Sequence, residues 1–158
     1  MRTSGPALLT RYGTMVGKVL RERIRYRSDL VGEDGYVVTC GGIGPTHDDI
    51  TYDAVAAAFN VDLAVHEPTR DALKKINDER GQVLTPERLR MATLPVGAHI
   101  YQDDDLWVPL VVMHNVCVLP GIPWLYRKMM DLHAHIFVGG TKLTRAIVRE
   151  VGPACVVL

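Results

Sequence analysis

The sequence has no excess of charge, few cysteines and no long hydrophobic run. Its 158 residues include 18 basic and 18 acidic side chains, so a nucleic-acid or anionic-membrane partner has no electrostatic support. Its three cysteines are scattered without metal-ligand spacing, which favours a reducing compartment and a cytoplasmic protein. No apolar run approaches the roughly 20 residues that span a bilayer. We therefore expect a partner that is neither nucleic acid nor membrane.

The N-terminal region lacks acidic residues, since none precedes Glu22, and it carries several basic ones. Mitochondrial and plastid transit peptides share this bias. A frayed tail leading into an amphipathic helix at about residues 14–27 explains it more simply. We predict a tail over residues 1–13 and one α/β domain over residues 14–158, because a chain of this length buries a single core.

The chemistry-bearing part of the sequence is a strand, a glycine-rich loop and a helix in succession. The β-branched run Tyr36–Cys40 predicts a buried strand, and residues 41–45 (Gly-Gly-Ile-Gly-Pro) predict a loop. The alanine-rich run Tyr52–Phe59 predicts a helix that Asp49 or Thr51 caps. Such a loop can hold a phosphate, because glycines allow close backbone approach and the helix N-terminus presents N–H groups to the anion.

Two adjacent carboxylates, Asp48 and Asp49, follow this loop. They would repel a bound phosphate unless a divalent cation lay between them and the anion. The sequence therefore predicts a metal–phosphate or nucleotide site in which Asp48 and Asp49 bind the metal ion and are the catalytic residues. The neighbouring His47 could donate to a phosphate oxygen, bind the metal or support its ligands.

A second strand, turn and helix repeats the arrangement near residue 120. The run Val116–Leu119 predicts a buried strand, and residues 124–132 predict a helix. Two such strand ends side by side form a crevice at the carboxyl edge of an α/β sheet, where ligands bind. The residues predicted to bind the nucleotide or phosphate are Gly41, Gly42, Ile43, Gly44, Pro45, Thr46, His47, Thr51, Pro120 and Gly121.

Other polar residues are predicted to lie outside the site. The acidic run at residues 102–105 is typical of a solvated turn. His133 and His135 are expected at the surface, because no third metal ligand lies nearby in the sequence. Arg88 and Arg90 could meet a substrate phosphate, but we favour a solvated helix face for both.

Three motifs together resemble the molybdopterin-binding (MoaB/Mog-like) domain family. They are residues 41–51 followed by Ala54–Phe59, residues 90–95 (Arg-Met-Ala-Thr-Leu-Pro), and residues 119–123 (Leu-Pro-Gly-Ile-Pro). The Thr-His-Asp-Asp form of the first motif is similar to two branches, the molybdopterin-binding-like domain of eukaryotic FAD synthases and the CinA-type bacterial group. The resemblance covers about residues 37–131 and implies a three-layer α/β/α sandwich with a mainly parallel sheet.

The sequence departs from that family near its start. Members begin with a strand that ends in a Gly-Asp-Glu loop, and that tripeptide does not occur here. The resemblance therefore implies a truncated domain, in which the helix at 14–27 is the one that normally precedes the motif strand. Missing strands would leave unpaired sheet edges and an incomplete site.

The resemblance also implies a ligand that contains a pyrophosphate: a pterin, a flavin or an adenine nucleotide, bound by a homo-oligomer. One hypothesis is hydrolysis of FAD or ADP-ribose with Mg²⁺, Mn²⁺ or Co²⁺ bound by Asp48 and Asp49. In this hypothesis the loop amides stabilise the developing negative charge, and Thr46 and Thr51 orient the phosphate. A second is a non-catalytic binding, regulatory or oligomerisation module that lacks half of its site. A third is molybdopterin adenylylation, which the Thr-His-Asp-Asp form disfavours. FAD synthesis itself would need a separate nucleotidyl-transfer domain.

Overall fold

The protein is described by a computed structural model over residues 18–30 and 35–137. Its helices are α1 (18–30), α2 (Thr51–Phe59), α3 (Glu67–Glu79), the single turn α4 (Pro86–Leu89) and α5 (Pro123–Leu132), with 3-10 turns at Arg90–Ala92 and Ala134–Phe137. Its strands are β1 (Val37–Cys40), β2 (Leu63–Val65), β3 (Thr93–Pro95), β4 (His99–Tyr101), β5 (Leu110–Met113) and β6 (Val116–Leu119). The predicted tail over residues 1–13 and the end of the predicted domain, residues 138–158, lie outside the described residues.

Four strands form the main sheet in the order β1-β6-β5-β4. The α/β class is confirmed, but the sheet of described strands is mixed rather than mainly parallel. Only β1 and β6 run parallel, whereas β5 is antiparallel to both of its neighbours. The reason lies in the connection between β5 and β6, a turn at His114 and Asn115 in which His114 adopts a left-handed φ of 53°. So short a connection can join only antiparallel strands.

The side chains of β5 and β6 alternate between two apolar layers. Val111 and Val118 pack in a cluster with residues of α1 and α2, whereas Leu110 and Leu119 pack in a cluster with residues of α3 and α5. Every residue of both strands is buried, as expected for strands that are covered on two faces. The predicted three-layer α/β/α arrangement is therefore confirmed.

The helices begin and end close to where the sequence places them. Thr85 caps α4, because its side chain accepts a hydrogen bond from the Arg88 amide at 3.4 Å, and Pro86 occupies the first helical position. Asn60 ends α2 in the left-handed conformation. Within the described ranges, no helix is long and apolar enough to cross a membrane.

The fold places two loops next to each other. Cys40, the last residue of β1, is paired in register with Leu119, the last residue of β6. The chain leaves both strands in the same direction because they are parallel. The glycine-rich loop after β1 and the Pro120-Gly121 turn after β6 therefore meet at one edge of the sheet, as the sequence predicted.

Leu125→Ala should lower the free energy of unfolding by about 2–5 kcal/mol, because this side chain is fully buried where α5 covers the sheet. Leu132→Ala is the matched control on the same helix, since Leu132 is 43% exposed, and it should change stability by no more than about 0.5 kcal/mol. Urea unfolding of both variants measures the difference. Equal losses would contradict the assignment of α5 to this layer.

Candidate functional site

The glycine loop turns sharply at Gly42, which has a left-handed φ of 68°. A Cβ atom at this position would clash with the hydroxyl oxygen of Thr51. The Thr51 hydroxyl donates to the carbonyl of Gly41 at 2.9 Å, and the Thr51 amide donates to the carbonyl of Gly42 at 3.0 Å. Thr51 is thus buried behind the loop and ties it to the first residue of α2.

The two loops touch through their backbones. The Gly41 amide donates to the Leu119 carbonyl at 2.8 Å, and a Cβ atom placed on Gly121 would lie only 3.2 Å from the Cα of Gly41. The Cys40 thiol also donates to the Pro120 carbonyl at 3.5 Å. Pro120 and Gly121 therefore lie directly against the glycine loop.

Asp49 closes a tight turn with Thr46. Its Oδ2 atom accepts hydrogen bonds from the Thr46 amide at 2.8 Å and from the Thr46 hydroxyl at 2.6 Å, and its own amide donates to the Thr46 carbonyl at 3.1 Å. Partial burial acts to raise the pKa of Asp49, but the hydrogen bonds from Thr46 and the Gly44 amide and the charge of Arg90 leave that pKa below its ordinary value.

The predicted side-chain cap of α2 is wrong. Ile50 occupies the N-cap position and makes no side-chain capping bond. Asp49 is engaged by Thr46, and Thr51 already lies inside the helix, where its hydroxyl bonds backward to the loop. Both candidate caps therefore shape the loop instead of the helix end.

Asp48 and His47 face solvent. The Asp48 side chain is 83% exposed, and its Oδ1 atom lies 3.1 Å from Nε2 of His47. Asp48 thus has free coordination positions, whereas Oδ2 of Asp49 already accepts two hydrogen bonds. Within residues 18–30 and 35–137, no three His, Cys, Asp or Glu side chains lie close enough together to hold a metal ion.

The donor set fits a hard cation that takes only part of its coordination sphere from the protein. Mg²⁺ commonly binds through one or two carboxylates and completes its sphere with water and substrate phosphate oxygens. Asp48, with Asp49 beside it, can supply such carboxylate oxygens. A cage built entirely from protein side chains is not what these residues offer.

Arg90 lies on an exposed helical turn, as predicted, with its side chain 42% exposed, and it also supports the loop from another part of the chain. Its guanidinium donates to the carbonyl of Thr46 at 3.3 Å and to the carbonyl of Asp49 at 3.1 Å, and it lies 3.5 Å from the carboxylate of Asp53. Arg88 points elsewhere and donates to the side chain of Asn77 at 2.5 Å. Sequence reasoning noted Arg90 but had no local signal for this contact, which spans more than 40 residues.

His133 is not at the surface as predicted. It is only 5% exposed, and its Nε2 atom lies 2.8 Å from Oδ2 of Asp103, while its ring packs near Tyr101. The first aspartate of the acidic run at 102–105 is therefore a partner of a buried histidine. This side-chain pair connects the C-terminal end of α5 to the loop after β4 and takes no part in the glycine-loop site.

A family model described as a probable molybdopterin binding domain matches residues 17–139. The chain belongs to the molybdopterin-binding domain family. This assignment agrees with the two glycine-containing loops that meet at the ends of β1 and β6.

Relatives of this molybdopterin-binding domain include CinA-like proteins. The CinA-like protein of Anaeromyxobacter sp. (strain Fw109-5) is 31% identical over 128 residues, which cover 78% of this chain and 31% of that protein. The CinA-like protein of Synechococcus sp. (strain CC9311) is 32% identical over 140 residues, which cover 85% of this chain and 33% of that protein. The matched residues thus span about a third of the length of these relatives.

The domain is also similar to a solved structure, the crystal structure of the protein CinA with unknown function from Thermoplasma acidophilum. The TM-score is 0.60 at 29% sequence identity, and the match covers 75% of this chain and 70% of that one. The fold of the molybdopterin-binding domain is therefore of the CinA type.

Gly42→Ala should destabilise the domain more than Gly97→Ala. Both glycines have left-handed φ angles, so either substitution costs roughly 1–2 kcal/mol of backbone strain. An added Cβ meets the Thr51 hydroxyl only at Gly42, whereas nothing lies within 4 Å of a Cβ at Gly97. Urea unfolding measures both losses, and equal values would show that the Gly42–Thr51 contact does not constrain the loop.

Asp49→Asn should remove part of the pH dependence of stability at acid pH. A carboxyl group whose folded pKa is depressed stabilises the fold above its unfolded pKa, and this contribution is lost as the pH falls through the folded value. The stability difference between the native chain and Asp49→Asn should therefore shrink as the pH falls below about 4. Urea unfolding between neutral and acid pH tests this, with the exposed Asp48→Asn as control. A difference that stays constant with pH would contradict the assigned hydrogen bonds.

Proposed function

We propose that the protein binds the pyrophosphate of a nucleotide or pterin in the crevice between the two loops and hydrolyses it with the help of a divalent metal ion. FAD and ADP-ribose are the proposed substrates, as in a domain of FAD-synthase type. The proposal is carried by the position of one backbone contact. Gly41 meets Gly121 beside the N-terminus of α2, and the exposed carboxylate of Asp48 lies in the same loop. Backbone N–H groups and a helix N-terminus favour phosphate at such a point.

The proposed roles follow from the accessibility of each side chain. When bound at Asp48, Mg²⁺, Mn²⁺ or Co²⁺ would neutralise phosphate charge and lower the pKa of a coordinated water. His47, whose Nε2 atom lies 3.1 Å from Oδ1 of Asp48, would orient that carboxylate. Asp49, Thr46, Thr51 and Arg90 would hold the loop in shape. Water would attack one phosphorus atom of the pyrophosphate, and the bond to the bridging oxygen would break to release AMP.

A non-catalytic binding module is the second candidate. It is favoured by the small number of metal-binding side chains near the loop in the described part of the chain. Such a module would bind the same pyrophosphate without cleaving it. Molybdopterin adenylylation ranks below both, because the Thr-His-Asp-Asp form of the first motif disfavours it.

Product analysis by chromatography distinguishes the first two candidates. Folded native protein, incubated with FAD or ADP-ribose and Mg²⁺, Mn²⁺ or Co²⁺, should release AMP, and Asp48→Asn should lower the rate by about 100-fold or more because a metal-bound transition state loses its main carboxylate. Asp104→Asn, an exposed aspartate in the turn after β4, is the matched control and should retain the native rate. Intact FAD and ADP-ribose after incubation with folded protein that binds pyrophosphate would establish the binding module instead.

A further inference from the structure

Helix α5 buries one face against the sheet and exposes the other. The exposed side begins with Trp124, which is 56% exposed, and ends with Leu132, which is 43% exposed. Arg127 and Asp131 are exposed between them. Trp124, Arg127 and Asp131 follow one another at spacings of three and four residues, so they form one row along the helix, with Leu132 at its flank. We call these four residues the outer face of α5.

The outer face of α5 has the composition of a protein interface. Tryptophan and arginine are among the residues that most often carry binding energy where two proteins meet. Trp124 leaves a large apolar ring in water, and Leu132 adds a second apolar side chain about two turns further along the helix. A helix surface is convex, whereas sites for small molecules are concave. The outer face therefore suits a second protein surface rather than a small ligand.

The two charged residues of the outer face have no ion-pair partner in the described part of the chain. Arg127 and Asp131 occur in none of the ion pairs found within residues 18–30 and 35–137. Lys128, which lies beside them, is already paired with Asp105 at 3.3 Å. One positive and one negative charge, about one helical turn apart, are thus available to a partner.

We propose that the outer face of α5 binds the same face of a second copy of this chain, with the two helices antiparallel about a two-fold axis. In such a contact each residue meets a different residue of the same patch on the other copy. An axis that passes close to Met129, midway between Arg127 and Asp131, places Arg127 opposite Asp131 of the second copy. The same reversal brings each Trp124 towards the end of the other helix, where Leu132 is exposed.

The charge pattern favours a second copy as the partner. Read in either direction, the outer face runs from an apolar residue through two opposite charges to an apolar residue, so it is complementary to its own reverse. The whole chain has 18 basic and 18 acidic side chains, so two copies do not repel each other through net charge. One pair of helices buries less than the roughly 1,200 Å² of a standard interface, and we expect a weak, reversible dimer. The proposal uses none of the residues of the proposed pyrophosphate site.

Sedimentation equilibrium over a range of protein concentrations tests the dimer and its charge pairing. The native chain should form a dimer whose dissociation constant rises with salt concentration, because exposed ion pairs are screened. Arg127→Asp should raise this constant about 10-fold, because two attractive pairs in each dimer become repulsive. The double variant Arg127→Asp/Asp131→Arg restores opposite charges across the axis and should return to within about 3-fold of the native value. Lys75→Asp, the same change in charge at an exposed position on α3, is the matched control and should keep the native value.

Trp124→Ala tests the apolar part of the contact. It should raise the dissociation constant about 10-fold or more, whereas Tyr26→Ala, at an exposed aromatic residue on α1, should leave it unchanged. Circular dichroism checks that each variant is folded. A native chain that stays monomeric at the highest concentration, or one that assembles beyond two copies, would overturn the proposal. So would a dimer that Trp124→Ala and Arg127→Asp leave unchanged, or a double variant that dimerises no better than Arg127→Asp.

Discussion

The site depends on the close approach of two backbones at the ends of neighbouring parallel strands. The Gly41 amide bonds to the Leu119 carbonyl, and the Cα of Gly41 lies where a side chain on Gly121 would need space. The apolar layers on both faces of the sheet fix β1 against β6, so the loops that follow cannot move apart without breaking the core. The lack of a side chain at Gly121 allows this close approach, and Gly41 supplies the left-handed φ of 92° with which the loop begins.

Several polar groups of the glycine loop are satisfied by the protein itself. Thr51 of α2 and Arg90 of the turn before β3 both donate hydrogen bonds to loop carbonyls. Within the loop, Asp49 accepts a hydrogen bond from Thr46. These contacts fix the loop before any ligand arrives, which reduces the ordering cost of binding. The two aspartates therefore differ in role: Asp49 maintains the shape of the loop, and the exposed carboxylate of Asp48 is the more open of the two to a metal ion.

Sequence reasoning recovered the local elements of the site and missed the contacts between them. The strand, loop and helix over residues 37–59 follow from hydrophobic pattern and glycine content, which are local properties. The hydrogen bonds from Arg90 to the loop and the burial of His133 depend on partners about 30 to 40 residues away in the sequence, which no local pattern reveals. Asp49 and Thr51 lie in the loop and at the start of α2. Whether a short polar side chain near a helix start caps the helix or bonds to the loop depends on a competition that the sequence alone does not decide. The mixed sheet was missed because the resemblance implied parallel strands, whereas the tight turn at His114 requires an antiparallel pair.

In residues 18–30 and 35–137, few metal-binding side chains lie near the glycine loop, and this has a thermodynamic consequence for the proposed function. Of the described side chains, Asp48 and Asp49 would occupy only part of the coordination sphere of a divalent ion, and water and the phosphate oxygens of the ligand would provide the rest. Metal and pyrophosphate would then bind cooperatively, and by linkage each must raise the affinity of the other by the same factor. A binding module that holds pyrophosphate through loop amides alone would show no such reciprocity. The coupling between metal and pyrophosphate affinities therefore distinguishes a metal-dependent site from a purely backbone-based one, whether or not any bond is cleaved.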